Sequence, residues 1–275
     1  LSAGGDAAGV GTAVLTVPGA ALTDVPRWHP DRPCLLARTV EVLPEAEPAA
    51  GAPTVHQVDL VEGYAGLRDI GSAWVAGHGP DPASGRPPVD QWQTLTVAGE
   101  PVYVRGVLDQ AWHPETLIAW PSRAYRVNEL RALRDLGFNT VRIHIKPEAP
   151  WVYAAADVLG LMVVYDLPCP RDLAPSGADA PWRPHWVAAA DALIPRDRSH
   201  PSILWWVLFN EAWGLLDPPF WQEAEGIAFV RAQAARVRAL DPGRPVEGHS
   251  PGGFSEVLDD GALPHVDTDV NSYHL

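Results

Sequence analysis

Two patterns of apolar and polar positions divide the chain. Residues 36–43 alternate apolar with polar side chains, which is the period of a half-buried antiparallel strand, and shorter β-like runs lie at residues 12–17 and 55–60. From residue 95 onward, apolar runs at 102–107, 140–145, 161–165 and 203–209 are separated by amphipathic helical patterns, followed by weaker strands at 245–247 and 266–270. This order predicts a β-sandwich and then a parallel β/α barrel.

The helical patterns carry plausible ends. Ser122 precedes an amphipathic run that stops at Gly137, and a second helix is predicted over residues 221–240. About six β/α units are visible after residue 95, whereas a complete TIM-type barrel has eight units and usually takes ~250 residues. We therefore expect a sandwich domain over residues 1–94 and an incomplete barrel over residues 95–275.

Composition narrows the classes of partner. The net charge of -14 argues against nucleic acid, which is recognised by basic surfaces. The longest apolar runs are far shorter than the roughly 20 residues of a membrane helix. Cys34 and Cys169 show no metal-ligand spacing, so we expect buried thiols and neither a metal nor a cofactor. No secretion signal is visible, which favours a cytoplasmic location, and the missing initiator methionine indicates an incomplete N-terminus.

One apolar run is followed closely by an acidic residue. Residues 203–209 read as a buried parallel strand, and Asn210 and Glu211 follow it directly. Side chains at the carboxyl ends of barrel strands line the active sites of this architecture, so Glu211 is the candidate for a glycosidase-type general acid/base. The alternative is a core strand whose acidic residue caps a helix.

Several stretches, taken in order, resemble glycoside hydrolase family 2, the group of β-galactosidases, β-glucuronidases and β-mannosidases. Residues 97–110 look like the entry into its barrel, 133–144 like its first helix and second strand, and 157–166 like its third strand. The most specific stretch is 196–203 leading into Asn210 and Glu211, and 241–246 follows it. Residues 26–42 and 67–70 are similar to the immunoglobulin-like sandwich that precedes the barrel. The resemblance implies a retaining β-glycosidase that acts on β-linked sugars.

The resemblance also implies residue roles. Glu211 would be the general acid/base, and Asn210 would hydrogen-bond the sugar 2-hydroxyl, with helix capping as its alternative role. A retaining enzyme needs a second carboxylate about 5.5 Å away. The family takes this nucleophile from a later strand, which would lie beyond residue 275. Asp166 and Glu247 also fall at strand ends, but neither matches the position of the nucleophile.

Other strand-end residues are candidate substrate contacts. Arg142 matches an arginine that the family places near the nucleophile, and its alternative is a structural ion pair. His144 would face sugar hydroxyls or be a satisfied core histidine. Lys146 is the only lysine, which hints at a specific need for an ammonium group. The remaining candidates could complete a sugar subsite or serve loop packing, and they are Asp109, Trp112, Asp166, Tyr273 and His274.

Three rival interpretations remain. Residues 248–252 fit the G-x-S-x-G pattern of an esterase, but Pro251 follows Ser250 and has no N–H for an oxyanion hole. A metal site from His144, Asp166 and His274 lacks ligand spacing on any one element. The chain could also be a sugar-binding or structural remnant of a glycosidase. An unfinished barrel exposes edge strands, at which a second copy or a complementing chain could pair.

Overall fold

The computed structural model describes residues 2–5, 11–14, 22–42, 59–76, 91–170, 179–211, 224–250, 268–270 and 272. In this part of the chain the strands are β1 Ser2–Gly5, β2 Gly11–Val14, β3 Leu36–Val42, β4 Asp59–Ala65, β5 Ile70–Ala76, β6 Gln91–Val97, β7 Glu100–Pro101, β8 Gly106–Asp109, β9 Thr140–Ile143, β10 Met162–Asp166, β11 Ile203–Val207 and β12 Val246–Glu247. The helices are α1 Arg123–Asp135, α2 Pro150–Leu159, α3 Trp182–Asp197 and α4 Ala224–Leu240.

The N-terminal strands are all antiparallel. They form three separate sheets, in which β1 pairs with β2, β3 with β4, and β6 with both β5 and β7. The alternating segment 36–43 is an antiparallel strand as predicted, although most residues of β3 are exposed rather than half-buried. Strand β6 runs across the predicted boundary at residue 94. An immunoglobulin-like sandwich over residues 1–94 therefore stays a prediction.

The second half of the chain forms one parallel sheet. Its five strands lie in the order β8, β9, β10, β11 and β12, so each strand pairs with its neighbour in the sequence, and helices follow the first four. This arrangement is the winding of a partial β/α barrel. The described residues hold five barrel strands instead of about six. In the predicted sixth strand, residues 268–270 are not in strand conformation, although the Asp269 amide donates to the Val246 carbonyl at 2.8 Å, and residues 266–267 lie outside the described residues.

The first barrel strand begins later than the pattern predicts. Residues 102–105 of the predicted strand 102–107 are irregular, and β8 starts at Gly106. The side chain of Asn139 accounts for the difference. Its amide donates to the Tyr103 carbonyl at 2.9 Å and its oxygen accepts from the Arg105 amide at 2.8 Å, so these backbone groups bond a side chain instead of a neighbouring strand.

Helix α1 has the ends that the sequence predicts. The Ser122 hydroxyl accepts from the Tyr125 amide at 3.0 Å, and Gly137 has a φ of 93° just after the C-cap. Helices α2 and α3 were not predicted. The pattern of α3 is obscured by Pro195, since proline usually breaks a helix away from its first turn.

Aromatic residues fill the space between the sheet and its helices. Tyr165 of β10 lies between Tyr153 of α2 and Trp206 of β11, with ring centroids 5.2 Å and 4.7 Å away. All three side chains are fully buried. This packing holds the strands of the sheet in a fixed register, so that side chains at their carboxyl ends have defined positions.

A buried aspartate joins the N-terminal half to the barrel. The Asp157 carboxylate accepts from the Tyr64 hydroxyl at 2.6 Å and from the Ser202 amide at 2.8 Å, and it pairs with His200. The Trp28 indole donates to the Asp157 carbonyl at 2.9 Å. These bonds lie away from the carboxyl edge of the sheet, so their role is to join the two halves.

Candidate active site

Polar side chains collect at the carboxyl edge of the parallel sheet. Asp109, Asp166 and Glu247 are the last residues of β8, β10 and β12, His144 follows β9, and Asn210 follows β11 by a short extension. Parallel strands end on the same side of a sheet, and in barrels this side carries the active site. The predicted residues Tyr273 and His274 lie outside the described residues.

Arg142 connects two of these strand ends. Its Nε lies 2.9 Å and 3.1 Å from the two carboxylate oxygens of Asp166, and its Nη2 donates to Asp166 Oδ2 at 2.9 Å and to Asn210 Oδ1 at 3.1 Å. Asp166 is buried, and burial raises the pKa of its carboxyl group while the arginine opposes that rise. Arg142 thus forms the structural ion pair and also contacts a candidate site residue.

The orientation of the Asn210 amide follows from this contact. Arginine can only donate, so the side-chain oxygen of Asn210 must face Arg142 and the amide nitrogen must face away. Asn210 is 2% exposed, and its Nδ2 has no hydrogen-bond acceptor in the described part of the chain. A buried donor without an acceptor costs free energy, and such donors commonly hydrogen-bond a ligand or a water molecule.

Glu211 lies in a strained backbone conformation. Its φ is 49°, which is the left-handed region, and its amide donates to the Ser250 carbonyl. Asn210 and Ser250 form an isolated parallel bridge that extends the pairing of β11 with β12. Glu211 is partly exposed, and residues 212–223 lie outside the described residues, so helix capping by Glu211 stays an alternative. Its backbone is bonded to the neighbouring strand end.

Hydrogen bonds and an ion pair fix the candidate residues at the ends of β8 and β9. The Asp109 carboxylate accepts from the Ala111 amide at 2.7 Å and pairs with Arg126 at 2.5 Å. His144 is buried, and its Nδ1 lies 3.3 Å from Gln110 Nε2. Trp112 is 62% exposed in the loop between β8 and α1. Core packing therefore does not account for Trp112, and its flat ring is open to a ligand.

Glu247 and Ser250 have structural partners. The Glu247 carboxylate accepts from the Trp205 indole at 3.0 Å and from the Ser272 hydroxyl, and burial raises the pKa of this carboxyl group. Ser250 is fully buried, with its hydroxyl 2.9 Å from that of Ser272. A serine nucleophile must be reachable by its substrate, so the burial of Ser250 adds to the argument against an esterase.

The comparisons with known proteins agree with this architecture. A family model described as glycosyl hydrolases family 2, TIM barrel domain, matches residues 89–265. The chain belongs to glycoside hydrolase family 2. Relatives within the family include a β-galactosidase from Pseudoalteromonas haloplanktis, which is 30% identical over 183 residues, with 64% of this chain and 16% of that protein covered. A β-glucuronidase from Canis lupus familiaris is 29% identical over 184 residues, covering 65% of this chain and 26% of that protein.

Solved structures of other glycosidases have a similar fold. The β-galacturonidase from Eisenbergiella tayi, bound to galacturonate, gives a TM-score of 0.59 at 21% identity and covers 86% of this chain and 35% of that chain. The β-D-glucuronidase of Dictyoglomus thermophilum gives a TM-score of 0.60 at 19% identity, covering 80% of this chain and 34% of that chain. The chain thus spans about a third or less of these relatives, and it holds part of the TIM-barrel-type fold.

The structure also reveals site residues that the sequence did not suggest. Arg126 and Glu148 lie beside Asp109, and Gln110 contacts His144. A signal for Arg126 exists in the pattern, because it occupies the apolar face of α1 one turn before the buried Leu130. A charged residue on a buried helix face indicates either a salt-bridge network or a site.

Two further findings concern metals and membranes. Among the residues that the structure describes, no group of three or more His, Cys, Asp and Glu side chains is placed to share a metal ion. The described helices include none with the length and apolar character needed to cross a bilayer.

Proposed function

We propose that this chain is the acid/base-bearing part of a retaining β-glycosidase that hydrolyses O-glycosidic bonds of β-linked sugars, with Glu211 as the general acid/base. One observation carries the proposal. The Asn210–Glu211 pair follows the fourth described barrel strand, with Asn210 bonded to Arg142 and the backbone of Glu211 bonded to the next strand end. This is the location at which barrels carry catalytic groups.

The mechanism requires two carboxyl groups about 5–5.5 Å apart. In the first step Glu211 gives its proton to the glycosidic oxygen as the bond to the sugar breaks, and a carboxylate nucleophile forms a covalent bond to the anomeric carbon. In the second step Glu211 removes a proton from water, which displaces the nucleophile. We assign the nucleophile to a barrel strand later than β12 and to none of the carboxylates in the described residues.

The neighbouring residues would bind and orient the sugar. Asn210 Nδ2 is a buried donor without an acceptor in the described part of the chain, and a sugar 2-hydroxyl would supply one. Arg142 holds the Asn210 oxygen, so the donor is aimed before the sugar arrives. We further propose that Asp109, Trp112, His144 and Asp166 line the sugar subsite, as carboxylate, ring and imidazole groups at adjacent strand ends.

The activities by which the relatives are named define the substrates to test. They are β-galactosidases, β-glucuronidases and a β-galacturonidase, so we propose β-linked galactosides or uronosides as the substrate class. The three antiparallel N-terminal sheets support, as a further proposal, an immunoglobulin-like domain before the barrel.

The test uses the protein together with the strand that carries the nucleophile, and it measures release of p-nitrophenol from β-galactoside, β-glucuronide, β-galacturonide and β-mannoside substrates, alongside binding of non-hydrolysable thio-linked analogues. Glu211→Gln should lower steady-state release of p-nitrophenol by roughly 100-fold or more, because p-nitrophenolate leaves without a proton but the amide cannot activate water in the second step. Glu62→Gln, an exposed glutamate on β4, is the matched control and should behave like the parent. Sugar binding without any turnover by the parent would favour the alternative, a catalytically incomplete sugar-binding remnant. Absence of both would refute the proposal.

A further inference from the structure

A buried arginine lies outside the acid/base pair and has no role in the mechanism above. Arg126 projects from α1 and is 1% exposed. Its Nη2 lies 2.5 Å from Asp109 Oδ2 and 3.5 Å from Glu148 Oε1, and its Nη1 donates to Glu129 Oε2 at 3.2 Å. Its guanidinium stacks 4.2 Å above the ring of Trp120. We call these five residues the Arg126 cluster.

The cluster joins two loops of the candidate site. Asp109 ends β8, and Trp120 lies in the loop between β8 and α1, whereas Glu148 lies in the loop between β9 and α2. The two loops also meet directly, because the Trp120 indole donates to Glu148 Oε1 at 2.9 Å. One cation from α1 therefore binds the carboxyl end of β8 to the loop that follows β9.

The second loop is fixed in turn. The Glu148 amide donates to the Tyr153 hydroxyl at 2.8 Å, and its carbonyl accepts from Arg196 at 2.8 Å. Lys146 Nζ lies 3.9 Å from Glu148 Oε2 and 3.4 Å from the Ala111 carbonyl, which belongs to the first loop. Glu148 is thus a rigid anchor, and any group bonded to it acquires a defined position.

Energetics argue that such a cluster serves more than stability. Removing a guanidinium and carboxylates from water is costly, and well-packed apolar residues often replace buried ion pairs without loss of stability. The Arg126 side chain fits carboxylates and an aromatic face at once, because it is planar and carries several donors. What an apolar replacement would lose is the direction of the Asp109 carboxylate and the position of the Trp120 ring.

A cavity of about 400 Å³ lies beside the cluster. Its lining combines Asp109, Trp112, Trp120 and Arg126 with apolar residues of β8 and α1. Trp112 is exposed, and Trp120 is held against the guanidinium. Aromatic faces beside a carboxylate are groups that bind a sugar ring, through stacking and hydroxyl hydrogen bonds.

We propose that Arg126 is a positioning residue for sugar binding, which holds the Asp109 carboxylate and the Trp120 loop at the carboxyl edge of β8. The choice of a sugar as the ligand rests on the proposed function. The ordering of the Trp120 loop by Arg126 does not depend on it. Arg126 itself need not touch the sugar, since its contacts are to the residues that would.

The cluster predicts an effect of pH in a variant that lacks the cation. Arg126→Met leaves Asp109, Glu129 and Glu148 facing one another, with Lys146 as the remaining nearby cation. Like charges at short distance repel, and protonation relieves the repulsion. At pH 7 the affinity of Arg126→Met for a thio-linked β-sugar should therefore be at least tenfold lower than that of the parent. The ratio of the two affinities should return towards one as the pH is lowered to 5. Effects of pH that are common to both proteins cancel in the ratio.

Two further variants keep the test decisive. Arg126→Lys retains the charge but loses the planar fork, so its affinity should lie between those of Arg126→Met and the parent, with little pH dependence. Arg123→Met removes an exposed arginine of the same helix, whose guanidinium lies 5.6 Å from the Trp151 ring, and it should bind like the parent. If Arg126→Met does not fold, Arg126→Lys and Glu148→Gln test the same contacts.

Hydrogen–deuterium exchange separates this inference from the proposed function. Amides of residues 111–122 should exchange faster in Arg126→Met and Arg126→Lys than in the parent and Arg123→Met, whether or not sugar binds. A parent that binds no sugar would count against the proposed function alone. Unchanged exchange in residues 111–122, or parent-like affinity of both Arg126 variants at both pH values, would overturn the positioning role.

Discussion

Replacement of Asn210 by alanine should separate binding from stability. The parent side chain makes one strong bond, from Arg142 Nη2 at 3.1 Å, and carries one buried donor with no acceptor in the described part of the chain. A residue kept only for stability would not hold its donor in this state. We therefore expect Asn210→Ala to leave the free energy of unfolding nearly unchanged while it weakens sugar binding.

The magnitudes nearly cancel in the unliganded protein. Loss of a hydrogen bond to a charged group costs roughly 1.5–3 kcal/mol, and removal of an unsatisfied buried donor returns roughly 1–3 kcal/mol. The net change in the free energy of unfolding should therefore lie within about 2 kcal/mol of zero. In the complex the balance differs, because the sugar hydroxyl loses its donor and stays unpaired. That penalty of roughly 1–3 kcal/mol corresponds to a loss of affinity of about 5- to 150-fold.

Asn139 provides the matched control. It is also a buried asparagine, but it precedes β9 at the opposite edge of the sheet, and its three bonds join the Arg105 amide, the Thr140 hydroxyl and the Tyr103 carbonyl. At about 0.5–1.5 kcal/mol for each bond, Asn139→Ala should lose roughly 1.5–4.5 kcal/mol of stability. Its affinity for sugar, measured where the protein is folded, should equal that of the parent.

Urea unfolding and titration with thio-linked β-galactoside and β-glucuronide measure both quantities. The two variants should show opposite profiles, with Asn210→Ala stable but weak in binding and Asn139→Ala unstable but normal in binding. If Asn210→Ala lost more than about 3 kcal/mol of stability and bound sugar like the parent, the amide would be a structural group. The proposed contact with the sugar would then be refuted.

Two other predictions follow from the structure. Burial raises the pKa of Glu247 in the folded protein, so ionisation destabilises the fold as the pH rises from the unfolded pKa through the folded one. Glu247→Gln should thus match the parent in urea unfolding at pH 4 and exceed it at pH 8, and equal stability at both would contradict the prediction. In the two-residue turn between β6 and β7, Ala98 and Gly99 have φ values of 53° and 78°, so Ala98→Asn should raise the free energy of unfolding by about 0.5–1 kcal/mol and Gly99→Ala should lower it by about 1 kcal/mol. A destabilised Ala98→Asn would show that the turn is not of this type.

Local chemistry explains what the sequence could predict. The caps of α1 depend on Ser122 and Gly137 themselves, and both are visible in the sequence. The location of Asn210 and Glu211 depends only on the end of an apolar strand, which the run 203–209 marks. Helix α3 was missed for an equally local reason, since Pro195 obscures its pattern although the helix accommodates it.

Contacts between distant segments could not be predicted in this way. Asp109 and Glu148 lie far apart in the sequence, and only the pairing of β8 with β9 brings their loops together around Arg126. The late start of β8 has the same origin, because the side chain of Asn139 takes the backbone groups that the pattern assigned to a strand. Neither outcome is encoded in the residues of one segment alone.

Backbone strain gives evidence for the site that does not depend on any motif. Ala111, Ile145 and Glu211 all have positive φ values, and they follow the carboxyl ends of β8, β9 and β11. Such conformations cost of order 1–3 kcal/mol each and are unfavourable above all for a β-branched residue such as Ile145. Strain of this kind persists where the surrounding structure fixes a side chain for function. Its concentration at one edge of the sheet, beside a buried donor that has no acceptor in the described residues, supports placing the sugar there.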